Sequence, residues 1–506
     1  MAGELPVLKT ERLTLKNISL ENTADIIAWR SDPEIYCYFL SPHPIKAEEH
    51  INWFKNRYIY DDNRCDWMAY DEKNESVGVF GLRRDSSESN VAEVSYILAP
   101  NKKGVGFARE AVISLIEHAK QYWYTKKVIA EIHIDNLASI HFAKNLGMSV
   151  TSMNGKFCVF EMSTTGYSKK KIYIRCDGNQ KIGTGHVMRC LAIANQVKIL
   201  GNEPVFLVAD DAVESYISDK GYKVIRLNTV WDNLETEIDL LEKLFAGRNR
   251  ENVLVDSYYA TPDYLKKLNS FADVTYLDDL CADKYRVKNL INYNYYALDM
   301  GYEKMYEGSN VALYLGPRYA PLRSEFEGKQ ARDFCGLKKI LITTGGTDNY
   351  NVLEYLLEYF TSFNNVELFA IIGRFNQNRE NLCRKYENHK NVHLLMNVNN
   401  MQDYMLDCDL CITAGGITLY ELCACGTPSL MYVLADNQLN AARKFSDTKL
   451  IPCFGDARVG FDDLSSNLDS WISKYSDKDY WETINRMMLA IVDAKGASRI
   501  AEIVCK

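Results

Sequence analysis

Long hydrophobic runs are absent from this sequence of 506 residues, and no stretch approaches the ~20 apolar residues that a membrane-spanning helix needs. The first residues also lack the positively charged and then apolar pattern of a secretory signal. An excess of positive charge is missing as well, because the formal net charge is -8, which argues against nucleic acid as the main partner. We therefore expect a cytoplasmic protein that binds neither a membrane nor nucleic acid.

A repeated cysteine pattern is absent too, although the chain contains 14 cysteines. They are scattered, and no secretion signal accompanies them, so free thiols in a reducing compartment are the better interpretation. Cys408 and Cys411 have CxxC spacing, but no second pair follows at zinc-site spacing. We interpret both as structural residues at the start of a strand.

The composition that is present fits a globular protein of several domains. Hydrophobic residues make up 47% and charged residues 25% of the chain, and a domain typically takes ~100–200 residues. The best boundary is the polar stretch STTGYSKKK at residues 163–171, after which a new strand begins. A second boundary is predicted near ARDFCGLKK at 331–339. We predict domains at residues 1–165, 170–333 and 336–506.

The order of strand-like and helix-like segments predicts the fold class. Before residue 165 the pattern mixes hairpins, single strands and one long amphipathic helix. After residue 170 strands and helices alternate in two series, which predicts parallel sheets covered by helices on both faces. The sequence thus predicts an α/β protein with a mixed α/β domain followed by two Rossmann-like lobes. Ligands are expected at the carboxyl ends of the strands, in the cleft between the lobes.

The first motif with chemical meaning is AEVSYILAPNKKGVGFAREA, at residues 92–111. A strand ends at Pro100, and Gly104 and Gly106 precede a helix. Two glycines allow the backbone to approach a pyrophosphate, and a helix N-terminus supplies N–H donors and positive potential.

Together with TERLTLKNI at 10–18 and IDNLASIHFAKNLGM at 134–148, this motif resembles the GNAT N-acetyltransferase superfamily. The resemblance covers roughly residues 7–163 and is closest to the branch with ribosomal-protein N-acetyltransferases. It implies acetyl-CoA as cosubstrate. The contacts that it implies for acetyl-CoA are Ile97, Leu98, Lys103, Gly104, Val105, Gly106, Phe107, Asn136 and Ser139.

The same resemblance leaves the acid–base chemistry partly open. Glu93 would deprotonate the attacking amine directly or through water, or is simply a solvated strand glutamate. Asn101 replaces the Gln or Arg common at its position. Ala143 stands where many members have a tyrosine acid, so the acid is unassigned.

The second motif is RCDGNQKIGTGHVMRC, at residues 175–190. It predicts a strand, a Gly183-x-Gly185 turn and a helix whose first turn carries His186. The positive end of the helix favours the neutral imidazole, which suits a general base better than a phosphate cradle.

The third motif is CITAGGITLYELCACGTPSLMYVLADNQLNAARKF, at residues 411–445. A strand runs into Gly415-Gly416 and a helix follows, so backbone N–H groups can bind a diphosphate without a metal. Glu421 on this helix is placed to accept hydrogen bonds from both ribose hydroxyls. Another glycine turn, LITTGGTDN at 341–349, is expected in the same cleft.

This half of the chain resembles the donor-binding half of GT-B nucleotide-sugar enzymes. With VDSYYATPDYL, YLDDLC, LINYN and LGPRYAPLRSEF, it resembles the UDP-2,4-diacetamido-2,4,6-trideoxy-β-L-altropyranose hydrolases of pseudaminic acid synthesis over about residues 171–500. The resemblance implies His186 as the general base. We predict attack of water on C1 with loss of UDP and inversion, and we expect no metal because no Asp-x-Asp metal motif is evident. Asp177 is expected to orient the imidazole or to bind sugar hydroxyls. The implied substrate contacts are Gly185, Arg189, Tyr258, Gly345, Gly346, Thr347, Gly415, Gly416, Ile417, Glu421, Asn437 and Gln438.

The two resemblances together predict a bifunctional enzyme that acetylates a UDP-4-amino sugar and then releases UDP from the product. Four alternatives remain open at this point. The N-terminal domain would acetylate a protein terminus, or the C-terminal half would be a UDP-sugar glycosyltransferase or a hydrolase of a related diacetamido sugar. The last is a sensor that binds a nucleotide sugar without turnover.

Overall fold

A computed structural model describes residues 6–84, 90–164, 170–179, 181–346, 348–363, 365–373, 376–396, 398, 400–460 and 462–506, with side chains described outside 462–466. The chain divides into two compact units. The first contains Met1–Lys170 with Lys198–Asn202, and the second contains Lys171–Val197 with Glu203–Lys506. The predicted linker falls largely on residues 165–169, which lie outside the described residues.

The first unit is a mixed sheet of eight strands with helices on both faces. The strand order is β1-β2-β3-β4-β5-β6-β8-β7. The strands are β1 (Leu8–Lys9), β2 (Thr14–Asn17), β3 (Arg64–Tyr70), β4 (Ser76–Arg84), β5 (Val91–Leu98), β6 (Lys127–His133), β7 (Ser149–Asn154) and β8 (Phe157–Ser163). The helices are α1 (Thr23–Arg30), α2 (Pro33–Tyr36), α3 (Ala47–Asn56), α4 (Phe107–Tyr122) and α5 (Leu137–Asn145).

Helix α4 forms where the sequence predicts an amphipathic helix. Its buried apolar residues recur at three- and four-residue steps, so they lie on one face and pack on the sheet. They include Ala108, Ala111, Val112, Leu115, Ile116 and Ala119. Gly106 caps the helix with φ +85°, a conformation that favours glycine. The chain can therefore turn sharply from β5 into α4.

The second unit contains two sheets, and every strand pair recorded in them is parallel. Their orders are β11-β10-β9-β12-β13-β14-β15 and β18-β17-β16-β19-β20-β21. The predicted class, a mixed α/β domain followed by two Rossmann-like lobes, is confirmed. In each lobe the strand order reverses at the first strand of the lobe, between β9 and β12 and between β16 and β19. Such switch points are where α/β sheets bind ligands.

The N-terminal lobe of this unit begins with β9. Its strands are β9 (Lys171–Cys176), β10 (Glu203–Val208), β11 (Lys223–Arg226), β12 (Glu251–Asp256), β13 (Ala272–Leu277), β14 (Asn289–Asn292) and β15 (Ala312–Leu315). Its helices are α6 (Gly185–Ile199), α7 (Glu214–Ser218), α8 (Ile238–Phe245), α9 (Pro262–Phe271) and α10 (Tyr302–Met305).

The C-terminal lobe begins with β16. Its strands are β16 (Lys339–Thr343), β17 (Glu367–Ile372), β18 (Val392–Met396), β19 (Leu410–Ala414), β20 (Ser429–Val433) and β21 (Cys453–Asp456). Its helices are α11 (Val352–Thr361), α12 (Arg379–Tyr386), α13 (Met401–Asp407), α14 (Thr418–Cys425), α15 (Leu439–Asp447), α16 (Asp462–Tyr475), α17 (Lys478–Ile491) and α18 (Gly496–Val504). Across the described ranges, no helix combines the length and the apolar character needed to cross a bilayer.

Candidate active sites

The first unit contains a cavity of about 1380 Å³ that brings together most of the predicted acetyl-CoA contacts. Those that line it are Ile97, Leu98, Lys103, Gly104, Gly106, Phe107, Asn136 and Ser139, and the predicted base Glu93 lines it as well. Val105 is not among the lining residues. Its side chain is 43% exposed, and its carbonyl accepts a hydrogen bond from Arg12 Nη1 at 3.0 Å.

Strands β5 and β6 open a gap in the sheet beside this cavity. They pair only where Val91–Glu93 meets Lys127–Ile129. Beyond Glu93, β5 continues to Leu98 with its other edge on β4. The backbone of Ile97 and Leu98 thus lacks a strand partner on the β6 side, which fits an extended amide-bearing arm such as pantetheine.

The glycine turn at the end of β5 has the geometry of an anion cradle. Gly104 and Gly106 have φ +84° and +85°, and α4 begins directly after them. A Cβ atom added at Gly104 would meet no atom within 4 Å, so this backbone faces open space. N–H groups at a helix N-terminus with open space before them suit a pyrophosphate.

The cosubstrate side of the cavity also contains a pair of hydroxyl groups. Asn136 caps α5, because its Oδ1 accepts from Ser139 N at 3.0 Å. The Ser139 Oγ lies 3.4 Å from Tyr96 Oη. Burial raises the pKa of Tyr96, although the hydrogen bond with Ser139 works against that shift. Tyr96 therefore holds its proton at neutral pH beside a predicted cosubstrate contact, and the sequence reasoning missed it.

Two basic residues in the same cavity were also missed. His50 on α3 is only 5% exposed, and neither of its ring nitrogens has a hydrogen-bond partner among the described residues. Burial first, and then the charge of Arg30, lower the pKa of His50. Arg30 lies over the Phe39 ring at 4.9 Å, and burial and Arg64 lower its pKa. Both residues can donate hydrogen bonds to a ligand that brings negative charge.

In the second unit, the predicted turn delivers His186 to the start of α6. Asn179 and Gly183 pair across the turn, and Gly183 has φ +71°. Gly185 is the first residue of α6 and is exposed. His186 follows it and is 7% exposed.

The partner of His186 is Asp256, at the end of β12. His186 Nδ1 lies 2.7 Å from Asp256 Oδ1, and because a carboxylate only accepts, Nδ1 carries the proton. Nε2 is then the basic nitrogen. Burial opposes the charge of Asp256, but Arg189 and His186 outweigh burial and hold its pKa well below the ordinary range.

Arg189 lies behind this pair and connects it to a second carboxylate. Its Nε donates to Asp256 Oδ2 at 2.6 Å, and its Nη2 donates to Asp256 Oδ1. Its Nη1 donates to Asp279 Oδ2 at 2.9 Å and to Tyr293 Oη at 2.6 Å. Arg189, predicted as a substrate contact, is thus a buried connector of the two carboxylates.

Asp177 has other partners than the imidazole. Its Oδ2 accepts from Arg175 Nη1, and its Oδ1 accepts from Ala209 N at 2.9 Å. Asp177 is 5% exposed. The carboxylate that orients His186 in this structure is therefore Asp256, which the sequence analysis did not identify. Its position at a strand end beside the switch point is the signal that could have identified it.

Tyr258 joins the two lobes beside the histidine. Its ring packs edge-on against the His186 ring, with centroids 4.6 Å apart and planes at 81°. Its Oη accepts from Asn437 Nδ2 of the C-terminal lobe at 3.4 Å. Three predicted residues, from both lobes, thus meet at one place.

The two glycine turns follow β16 and β19 at the second switch point. Gly345 and Gly416 have φ +78° and +144°, and an added Cβ at either would meet no atom within 4 Å. Thr347 lies outside the described residues, and Ile417 stands at the start of α14. Both turns present open backbone, as a diphosphate site requires.

Gln438 supports one of these turns from inside. Its Nε2 donates to the Gly415 carbonyl at 2.9 Å, and its Oε1 accepts from Leu434 N at 2.8 Å. Both polar atoms of its amide group therefore bond to the protein backbone. Glu421, on α14, is half-buried, and desolvation of its carboxyl raises its pKa, with Arg323 opposing the shift.

Among the described residues, no group of three or more His, Cys, Asp or Glu side chains is arranged to hold a metal ion. A literal Asp-x-Asp pattern occurs at Asp407 and Asp409. Asp407 pairs with Lys339 Nζ at 2.8 Å, and Asp409 Oδ2 accepts from the Lys338 and Lys339 N–H groups at 2.9 Å. Both carboxylates thus have partners within the protein.

Two family models match the chain. Residues 12–149 match the acetyltransferase (GNAT) domain, and residues 340–483 match the glycosyltransferase family 28 C-terminal domain. Both matches agree with the resemblances found in the sequence.

Three curated relatives are each similar to a little more than half of the chain. An uncharacterised protein of Methanocaldococcus jannaschii is 28% identical over 302 residues, covering 56% of this chain and 60% of that protein. The spore coat polysaccharide biosynthesis protein SpsG of Bacillus subtilis is 25% identical over 283 residues, covering 54% of this chain and 80% of SpsG. The pseudaminic acid cytidylyltransferase and UDP-2,4-diacetamido-2,4,6-trideoxy-beta-L-altropyranose hydrolase of Helicobacter pylori is 24% identical over 282 residues, covering 54% of this chain and 46% of that protein. The match thus spans less than two thirds of the archaeal and the Helicobacter protein.

Proposed function

The chain joins a GNAT acetyltransferase domain to a glycosyltransferase family 28-type nucleotide-sugar domain, and on that premise we propose that it is a bifunctional enzyme of pseudaminic acid biosynthesis. The first unit transfers an acetyl group from acetyl-CoA to the 4-amino group of a UDP-4-amino-4,6-dideoxy sugar. The second unit hydrolyses UDP-2,4-diacetamido-2,4,6-trideoxy-β-L-altrose to UDP and the free sugar.

For the acetyl transfer, the pyrophosphate of acetyl-CoA binds at Gly104 and Gly106, and its arm follows the free edge of β5. Glu93, on the same strand, takes the proton of the attacking amine, directly or through water. The amine nitrogen forms a bond to the acetyl carbon, and the carbon–sulfur bond breaks with its electron pair leaving on CoA. The fit of the strand gap and the glycine turn to this ligand supports the assignment.

The basic side of the cavity supports a phosphate-bearing acceptor. Arg30 makes no ion pair with any described residue, although the charge of Asp66 in the same cavity acts on it, and His50 has two unpartnered ring nitrogens. Both side chains can therefore bond to an anionic ligand. A cationic acceptor would leave them unmatched. Replacement of Arg30 by Gln should raise KM for the UDP-amino sugar by ~10-fold or more, with a smaller change in kcat.

For the hydrolysis, His186 Nε2 takes a proton from water as the water oxygen attacks C1 of the sugar. The bond from C1 to the UDP oxygen breaks, the electron pair leaves on UDP, and the configuration at C1 inverts. Backbone N–H groups of the turns at 345–346 and 415–416 stabilise the charge that develops on the diphosphate. Glu421 binds the ribose hydroxyls.

The observation that carries the hydrolytic half is the His186–Asp256 pair, with Nδ1 fixed by the carboxylate at 2.7 Å. A transferase that activates a sugar hydroxyl would use the same base, so the acceptor must be tested directly. A nucleotide-sugar sensor would have no need of a fixed imidazole tautomer. This geometry therefore favours an enzyme over a binding protein.

The test is a mass-spectrometric time course with the UDP-4-amino-4,6-dideoxy sugar, with and without acetyl-CoA. Gain of one acetyl group followed by loss of UDP, only when acetyl-CoA is present, is the expected result. His186→Ala should acetylate normally and release no UDP, which provides the matched control for the two halves. UDP retention by the unmodified protein would point to a glycosyltransferase or a sensor. Absence of acetylation would show that the UDP-amino sugar is not the acceptor, and a protein N-terminus would be the next candidate.

A further inference from the structure

A chain of buried hydrogen bonds connects His186 to helix α14, the helix that begins at the Gly415-Gly416 turn. From the histidine it passes through Asp256 to Arg189, as described above, and Arg189 Nη1 donates to Asp279 Oδ2 at 2.9 Å. The other oxygen, Asp279 Oδ1, accepts from Asn294 Nδ2 at 2.9 Å. Asn294 is therefore the last member of this chain in the N-terminal lobe.

Tyr420 of the C-terminal lobe continues the chain. Its Oη donates to Asn294 Oδ1 at 3.2 Å and accepts from Tyr295 N at 2.9 Å. Its ring packs edge-on against Tyr293, whose hydroxyl accepts from Arg189, with centroids 5.4 Å apart. Tyr420 is 1% exposed. It thus makes a specific polar contact between the lobes in a place closed to water.

The position of Tyr420 on α14 gives this contact its meaning. The next residue, Glu421, is the proposed ribose contact, and the turn before the helix is the proposed diphosphate cradle. A nucleotide bound at α14 therefore contacts the N-terminal end of the helix, while Tyr420 bonds the same helix to the N-terminal lobe. A small shift of α14 changes the Tyr420–Asn294 hydrogen bond.

The groups that face His186 make its basicity sensitive to that shift. Asp256 faces it from β12, Arg189 from its own helix and Tyr258 from the segment after β12, while Cys190 Sγ donates to Asp256 Oδ2 at 3.4 Å. Asp279 completes the set through Arg189. Two carboxylates against one guanidinium leave one negative charge in excess, which the imidazolium neutralises when His186 takes a proton.

We propose that Tyr420 is a positioning residue that couples nucleotide binding on α14 to the orientation and basicity of His186. This inference rests on the proposed hydrolase function. When the Tyr420 hydroxyl is present, Asn294 Nδ2 donates to Asp279 and to Asn292, while Arg189 makes two bonds to Asp256 and one to Asp279. Without it, Asn294 Oδ1 has no donor from Tyr420 and the amide is held by Asn292 alone on that side. Its bond to Asp279 then loosens, and Asp279 draws Arg189 away from Asp256. Asp256 then holds the imidazolium more tightly.

The test is Tyr420→Phe in the full chain, with Tyr475→Phe as the matched control. Tyr475 is a fully buried tyrosine of the same lobe whose hydroxyl donates to the Ser429 carbonyl at 3.0 Å, outside the connecting chain. For Tyr420→Phe we expect kcat for UDP release to fall about tenfold, with KM and UDP affinity within about twofold of the unmodified protein. The acid limb of the kcat–pH profile should move to higher pH. Tyr475→Phe should leave the profile in place.

Equal profiles for the two variants would overturn the proposal. So would a loss of UDP affinity in Tyr420→Phe that matches its loss of kcat, since Tyr420 would then only shape the nucleotide site.

A second measurement separates this inference from the proposed reaction. In the unmodified protein with 15N-labelled histidine, added UDP should shift the ring signals of His186, assigned with His186→Ala, and Tyr420→Phe should abolish that shift. If UDP binds and shifts His186 while no sugar is released, the hydrolase function fails and the coupling stands. If UDP binds without any shift, or does not bind, the coupling is wrong.

Discussion

The His186–Asp256 pair leads to the sharpest prediction, which concerns Asp256→Asn. An asparagine at this position keeps the shape of the side chain but turns its amide donor toward His186 Nδ1 or leaves Arg189 without its double partner. If the amide donates, Nδ1 must accept, the proton moves to Nε2, and the nitrogen that faces water loses its basicity. We expect kcat for UDP release to fall by about 10³- to 10⁴-fold, the scale of a base held in the wrong tautomer.

The same change also measures the buried charge cluster. Asp256 is 1% exposed and accepts two bonds from Arg189, and removal of one partner from a buried pair costs about 3–5 kcal/mol. Urea unfolding should show this loss at neutral pH. The folded pKa of Asp256 is lowered, so its stabilisation is present above the ordinary aspartate pKa and is lost as pH falls through the folded value. The difference between variant and unmodified protein should therefore shrink only at strongly acidic pH.

Asp177→Asn is the matched comparison, because Asp177 is also a buried carboxylate beside an arginine but has no bond to His186. It should lose stability with a fall in kcat of less than about tenfold. UDP release by Asp256→Asn within about tenfold of the unmodified rate would refute the reasoning, since the orienting carboxylate would then be unnecessary. A larger loss of kcat in Asp177→Asn than in Asp256→Asn would show that Asp177 is the carboxylate that orients His186.

Three further predictions concern the two ligand sites. Gly104 and Gly147 both have left-handed φ, near +84° and +88°, and open space around the added Cβ. Gly104→Ala and Gly147→Ala should therefore each lower the free energy of unfolding by about 1–2 kcal/mol in thermal unfolding, but only Gly104→Ala should weaken acetyl-CoA binding in calorimetry. Equal affinities of the two variants for acetyl-CoA would show that the pyrophosphate does not bind at Gly104. Glu421→Gln should weaken UDP binding by about 10- to 100-fold. It should also raise the stability of the fold at neutral pH, because the raised pKa of this carboxyl means that its charged form is unfavourable in the folded protein. In the unmodified protein, UDP affinity should fall as pH drops through that raised pKa. An affinity that does not change with pH would show that Glu421 does not bind the ribose. Gly415→Ala should also weaken UDP binding in the same titration, because its Cβ would lie 2.9 Å from Gln438 Cβ. Gln438→Gly in the same chain removes that Cβ and should restore part of the affinity, and no restoration would show that the clash is not the cause.

The predicted residues that lie at a strand end in the structure, as the sequence indicated, are those placed there by a local turn. The stretch before His186, the Gly104–Gly106 turn and the Gly415–Gly416 turn each combine a strand, a glycine at positive φ and a helix within a few positions. Such patterns are legible because each glycine is required by the backbone itself. The fold class followed from the alternation of strands and helices for the same reason.

The residues that were missed depend on strand order. Asp256 lies 70 residues beyond His186, and it reaches the histidine because β12 pairs beside β9, with Asp256 opposite Cys176. Asp177 is close in sequence, but its oxygens turn to Arg175 and Ala209 instead. Spacing along the chain cannot distinguish these two carboxylates. His50 is similar, because nothing in α3 indicates which wall of a cavity it lines.

The central place of β9 in its sheet sets an order of events during synthesis. Strand β9 leaves the ribosome first, and β10 can cover one of its edges about 30 residues later, but the other edge waits for β12 at Glu251–Asp256. Until then the nascent lobe exposes an unpaired parallel edge, the kind of surface on which folding intermediates aggregate. The strand that closes this edge is the one that carries Asp256. Closure of this edge of β9 and assembly of the histidine pair are therefore one event, and a nascent chain that stops short of β12 has neither.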